Sequence, residues 1–235
     1  MATPYFYNDE WQPSQTTVLL PEDSSRHIVQ VLRMKAGETI HLTDGKGHLA
    51  TARIEQEHKK HCLVKITGSR FTPAPGRRIS IAVSLVKNSS RYEWFLEKAV
   101  EIGIQEIIPL VCERTEKQKF RAERWQGILV SALLQSQQCW LPVLKEPQPF
   151  AEVVANAAQL QKFIAHCLDD KKTNLADRVN NSLDSSILLI GPEGDFTAGE
   201  IAEAIQHHFI PVALGETRLR TETAAIVGAT LLKFL

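Results

Sequence analysis

The 235-residue sequence has no run approaching the roughly eighteen consecutive apolar residues that a membrane span requires. Its N-terminus, MATPYFYNDEW, has no basic segment leading into an apolar core. The expectation is a chain that is neither exported nor bound to a membrane. Cysteine is scarce: Cys62, Cys112, Cys139 and Cys167 are scattered with no CxxC pair, which excludes a disulfide framework and a zinc ribbon and fits a cytoplasmic location. His58-Lys59-Lys60-His61-Cys62 has no matching second pair and falls at an expected hairpin turn, so no metal is called for. Net charge is also missing, with 27 Lys+Arg against 27 Asp+Glu. Any nucleic-acid surface must therefore be a local patch. Neither GxGxxG nor GxxxxGK[ST] occurs, which argues against a dinucleotide or P-loop enzyme. No internal repeat or low-complexity tract is evident.

What is present includes a distinctive bend, LLIGPEGDFTAGE, over residues 188–200. The apolar run Ser186-Ile187-Leu188-Leu189-Ile190 is too short and β-branched for a helix and predicts a strand buried on both faces. Thr197-Ala198-Gly199-Glu200 has the spacing of a capping box, and Ile201, Ala204, Ile205 and Phe209 give the helix after it one apolar face. Strand, glycine-rich bend, helix is the arrangement at which open α/β sheets hold ligands. Glu193 and Asp195 would repel a pyrophosphate there. Either the ligand carries no phosphate, or Gly-Pro-Glu-Gly is only a tight turn.

A second stretch repeats the arrangement. Leu214-Gly215-Glu216-Thr217-Arg218-Leu219-Arg220-Thr221-Glu222-Thr223-Ala224-Ala225 leaves a short strand through a glycine and opens a helix that Ala224, Ala225, Gly228 and Ala229 make slim on one side. Two such strand ends can line one crevice.

Thr72-Pro73-Ala74-Pro75-Gly76 separates two textures, giving a small β module over 1–72, a linker over 73–77 and a larger domain over 78–235. Before it, strands are expected at 17–20, 39–43, 48–54 and 62–67, with a helix over 24–33 that turns Ile28, Val31 and Leu32 inward. After it, strands and helices alternate: strands at 79–86, 106–111, 162–167, 187–190 and 210–214, helices at 92–102, 123–138 and 223–235. This predicts an α/β fold with a parallel sheet covered on both faces.

Taken together, GPEG with its acidic helix start, LG…LRTETA near the end, His27-Ile28-Val29-Gln30-Val31-Leu32-Arg33-Met34-Lys35, Asp44-Gly45, Lys87, Arg91 and Glu97-Lys98-x-x-Glu101-x-Gly103 resemble the ribosomal RNA small subunit methyltransferase E family of the SPOUT superfamily. The resemblance implies a PUA-like β-barrel RNA-binding domain followed by a SPOUT methyltransferase domain with a C-terminal trefoil knot. It implies transfer of a methyl group from S-adenosylmethionine to N3 of one uridine in 16S rRNA near the decoding region, within the small ribosomal subunit, by a homodimer. It also implies a cofactor site at His166, Cys167, Ile190, Gly191, Gly194, Leu214, Gly215 and Leu219. Arg220 is then the residue to stabilise charge on the uracil, and Glu222 is either the base or a plain capping carboxylate. Arg26, Arg33, Lys35, Lys87 and Arg91 are candidate RNA contacts, with Arg114, Lys117, Lys119 and Arg121 as further phosphate candidates. Tyr5-Phe6-Tyr7 and Trp11 fit either stacking on bases or packing within the module.

The sequence departs from the family pattern at Asp195, where a second glycine is usual. It departs again at Leu134 and Gln138, in place of Glu and Arg, and at Thr217, in place of Arg. Rival readings are a non-catalytic RNA-binding assembly protein and a methyltransferase for another RNA.

Overall fold

The computed structural model describes residues 3–116, 119–168 and 172–235. The chain forms two compact units, one of residues 1–74 with 133–141, the other of 75–132 with 142–235.

The first unit is a five-stranded sheet in the order β1-β3-β4-β5-β2, with β1 Tyr5–Tyr7, β2 Thr17–Leu19, β3 Thr39–Thr43, β4 His48–Gln56 and β5 Leu63–Phe71. Alternation decides its two faces. Phe6, Val18, Ile40, Leu42, Ala50, Ala52, Ile54 and Val64 point into one core with Trp11, Ile28 and Cys62. The β3–β4 turn is fixed by Asp44, whose carboxylate accepts from the Lys46 and His48 amides at 2.7 and 3.1 Å and meets His48 Nδ1 at 2.7 Å.

The helix expected over 24–33 starts earlier, as α1 Glu22–Arg26, and continues as a π-helical turn, His27–Val31. The wider π turn shifts the phase of the side chains. Ile28 is fully buried, but Val31 and Leu32 are 64% and 41% exposed, contrary to the inward placement expected of them. Arg33 then leaves the turn at φ +55°.

The second unit is an all-parallel sheet, β11-β13-β10-β12-β6-β7-β8, with β9 also on β7. The strands are β6 Arg78–Ser84, β7 Glu106–Val111, β8 Val143–Leu144, β9 Gln148–Pro149, β10 Gln161–Ala165, β11 Thr173–Asn174, β12 Ser185–Ile190 and β13 Ile210–Ala213. The helices are α2 Ser89–Ile102, α3 Ala122–Gln135, α4 Phe150–Asn156, α5 Ala198–Gln206 and α6 Thr221–Phe234. Asn88 caps α2 by accepting from the Ser90 amide, and Gly103 ends it at φ +83°, where a Cβ would be strained.

One sheet face packs on α4 and α5 through Phe150, Val153, Val154, Ile201 and Ala204; α6 covers β6 and β12 on the other and packs on α2. Strand β12 therefore lies mid-sheet and mid-layer, and Ser186–Ile190 is buried throughout. The slim side of α6 has a direct use: a Cβ at Gly228 would run into Leu188 Cδ2.

Candidate functional site

Parallel strands β10, β12 and β13 end at one edge of the sheet. The 191–197 bend follows β12, the 214–220 segment follows β13, and 166–168 follows β10. Four residues of the first bend are held from elsewhere. The Gly191 carbonyl accepts from Thr221 Oγ1 at 3.0 Å, at the opening of α6. A Glu193 carboxylate oxygen accepts from the Lys87 amide at 3.0 Å, beyond β6. The Gly194 carbonyl accepts from Arg114 Nη1 at 2.7 Å, beyond β7. Asp195 accepts from the Cys167 amide at 2.8 Å, beyond β10, and from the Phe196 amide at 2.9 Å.

The bend then closes into α5 through the expected capping box, with both of its hydrogen bonds formed. Glu200 has a second task, since its other oxygen accepts from the Glu113 amide at 2.9 Å. Thus the acids of GPEGDF are backbone acceptors that gather loops. Asp195 makes this possible at φ +63°, a conformation that Asp tolerates better than most residues with a Cβ.

Behind this frame lies a crevice of two adjoining lobes, about 300 and 340 Å³, which share Ala165, Cys167, Arg218, Leu219 and Ala224. His166, Leu214 and Gly215 line the first lobe, and Ile190, Gly191, Arg220 and Glu222 the second. Gly215 has φ +132° with open space around it, so the β13 bend comes close to the lobe as bare backbone. Gly194 lines neither lobe; a Cβ there would face Arg114 at 3.4 Å.

The second lobe is balanced in charge, with Arg91, Arg218 and Arg220 against Glu193, Asp195 and Glu222. Arg91 Nε lies 3.6 Å from a Glu222 carboxylate oxygen, and the Glu222 side chain is only 11% exposed. Arg220 precedes the first turn of α6 and is exposed.

Sequence reasoning cast Arg91 as an RNA contact but not as a partner of Glu222, because only the fold brings α2 beside α6. It missed Lys172, which lines the first lobe and donates to the His166 carbonyl at 3.0 Å and to the Leu168 carbonyl. No local pattern marks that lysine.

The other basic candidates are dispersed. Lys87 Nζ faces Glu116 at 3.4 Å. Arg26 pairs with Glu22 at 2.8 Å and Lys35 with Glu57 at 3.6 Å, whereas Arg33 enters no ion pair among the described residues. Lys119 and Arg121 are exposed, and Lys117 lies outside the described residues. Burial pushes the Cys112 thiol, close to the frame, up to about 12, with the Glu200 carboxylate adding to the shift.

A chain with a small β unit and a parallel α/β unit that has a crevice at its strand ends matches known proteins over nearly its whole length. A family profile described as an RNA methyltransferase domain covers residues 72–233, and one described as an RNA methyltransferase PUA domain covers 20–67. The class is that of RNA methyltransferases with a PUA module.

Among solved structures, a probable rRNA-methyltransferase from Porphyromonas gingivalis is 38% identical, with a TM-score of 0.90 and 98% of each chain covered. A ribosomal RNA small subunit methyltransferase E from Neisseria gonorrhoeae, bound to S-adenosylmethionine, is 30% identical, with a TM-score of 0.86, 97% of this chain and 95% of that one covered. The protein of the same name from Synechocystis is 28% identical over 221 residues, 91% of this chain and 72% of the relative. The chain belongs to the ribosomal RNA small subunit methyltransferase E family.

Proposed function

We propose that the chain methylates N3 of a uridine in the decoding region of 16S rRNA, using S-adenosylmethionine and acting on the small ribosomal subunit as a cytoplasmic homodimer. The observation that carries this reading is the two-lobed crevice, framed by backbone and free of any phosphate cradle, with Arg220 and Glu222 at one lobe. The donor set fits the cofactor: it has no phosphate, and its cationic end suits a lobe that holds Glu193, Asp195 and Glu222. The cofactor supplies an electrophilic methyl group.

The chain supplies the rest. In this reading His166, Cys167, Leu214, Gly215 and Leu219 hold the adenosine end, and Ile190 and Gly191 bound the reacting end. Gly194 acts from outside the lobes, through the carbonyl that anchors Arg114. Uracil N3 is a poor nucleophile until its proton leaves. Arg220 stabilises the charge that then spreads onto the uracil oxygens, as a fixed guanidinium can. Glu222 receives the proton, with the Arg91 guanidinium 3.6 Å away to orient its side chain. Arg33 serves the RNA phosphates, and Arg26, Lys35, Lys87 and Arg91 less so because each already faces a carboxylate.

The trefoil knot belongs to the same reading. The chain leaves β13, which lies outside β10, yet α6 packs on β6 and β12. A return through the 191–197 loop, fastened by Thr221 to Gly191, accounts for that path.

The test is transfer of labelled methyl to 30S subunits from cells lacking the endogenous activity, followed by nucleoside analysis. The expected product is 3-methyluridine, lost in Arg220→Ala while cofactor binding persists. Cofactor binding with no incorporation into subunits would point to another RNA, and absence of both to a non-catalytic assembly protein.

A further inference from the structure

The sheet of the first unit has a second face, opposite its core. Tyr5, His41, Thr51 and Gly68 stand in one row across β1, β3, β4 and β5, because Tyr5 pairs with His41, His41 with Thr51 and Thr51 with Gly68. Their neighbours Phe6, Ile40, Leu42, Ala50 and Ala52 fill the core, so this row points outward. The Tyr5 and His41 rings lie 4.9 Å apart, tilted by 59°, and His41 Nδ1 is 3.5 Å from Thr51 Oγ1. The absent side chain at Gly68 leaves a hollow of about 430 Å³, walled by Tyr5, His41, Leu49, Thr51, Ser69 and Arg70.

Among the described residues, no carboxylate lines the hollow. Arg70 stands on one side of it, and the Arg53–Lys65 pair lies along the same strands on the other. None of the three enters an ion pair among the described residues.

We propose that this hollow is a subsite for one unpaired nucleotide of single-stranded RNA, its base stacked against Tyr5 and His41 and its phosphate held by Arg70. The proposal rests on the reading of this chain as acting on RNA. Core packing does not account for the Tyr5 ring, because Phe6, the strand's own core residue, is 5% exposed while Tyr5 is half-buried on the opposite face. Aromatic faces flanked by unpaired cations suit a base that has left its stack, whereas a duplex keeps its base faces covered.

The test uses the full chain and a fluorescein-labelled single-stranded oligoribonucleotide carrying 5-iodouridine. Gly68 suits a blocking variant, since a Cβ there meets nothing within 4 Å and its backbone needs no glycine. Tyr5→Val keeps a strand-forming residue on β1 but removes the ring. We expect Tyr5→Val and Gly68→Glu each to raise the RNA Kd about 5- to 100-fold, and Tyr5→Phe to stay within about twofold. Arg70→Gln should flatten the salt dependence by about one phosphate contact. Photo-crosslinks should map to Tyr5 or His41, and duplex of the same sequence should compete poorly.

S-adenosylmethionine affinity should be unchanged in all four variants. Unaltered RNA affinity in both Tyr5→Val and Gly68→Glu overturns the subsite, as does equal competition by duplex. Failure of the wild type to methylate subunits overturns the proposed function instead, and the binding and crosslinking results still decide the subsite.

Discussion

Replacing Asp195 separates two contributions that the structure combines in one residue. The site requires a backbone at φ +63° and a carboxylate that accepts from the Cys167 and Phe196 amides. Asp195→Asn keeps the tolerance for that backbone and one amide acceptor, and should cost under about 1 kcal/mol. Asp195→Gly keeps the backbone but loses both acceptors. A hydrogen bond to a charged acceptor contributes about 1.5 kcal/mol or more, but Cys167 is exposed and water can replace part of it, so about 1 to 2 kcal/mol is expected. Asp195→Ala adds the left-handed strain, about 1 kcal/mol more. The part that fixes the Cys167 wall of the crevice, about 1.4 kcal/mol, should appear as a tenfold weaker Kd for S-adenosylmethionine in Asp195→Gly. Calorimetric titration with the cofactor, beside thermal unfolding, reads both terms. The reasoning fails if Asn, Gly and Ala variants give the same Kd, or if the Ala variant unfolds no earlier than the Gly variant.

Gly228→Ala drives a methyl group into Leu188, and overpacking should destabilise the protein by about 1 to 3 kcal/mol in denaturant titration. Arg124 donates to Glu93 at 2.6 and 2.7 Å, and those bonds hold the Glu93 carboxyl below its usual range. Because the folded value is the lower one, the stabilisation is complete above the unfolded carboxyl value, about 4.3, and is lost as pH falls through the folded value. The wild type should therefore exceed Arg124→Ala by at most about 1 kcal/mol near neutrality, a difference that vanishes in acid. A mild thiol reagent should label exposed Cys167 first, leaving Cys62, Cys112 and Cys139 intact in the native state, and S-adenosylmethionine should slow that labelling. Equal labelling of Cys112, identified by peptide mapping, would contradict its burial and its raised thiol value.

Local chemistry was legible in the sequence wherever one residue type has one use. Gly103 ends α2 in the left-handed region, and Thr197 with Glu200 forms the capping box. The uninterrupted apolar run of β12 correctly implied a strand buried on both faces. Helix α4 was overlooked although Phe150, Val153 and Val154 carry the right spacing, because seven residues give periodicity little length to register. Val31 and Leu32 were misplaced because a π turn has no pattern in the residues that form it. Long-range pairing was out of reach: neither Glu193 nor Lys87 advertises the bond between them, and the meeting of Arg91 with Glu222 depends on how α2 packs beside α6. The acids of the bend were legible as unsuited to phosphate, but their work as loop acceptors was not.

That work has a kinetic consequence. The four bonds that hold the 191–195 segment span 30, 106, 80 and 28 residues of sequence. Contacts of such separation repay the entropy of loop closure only after the strands that carry them have docked. The bend should accordingly be among the last parts of the chain to take shape during refolding. It should also be the first to open under mild denaturant, so that amide exchange at Lys87 and Cys167 reports ligand binding well before the sheet beneath them responds.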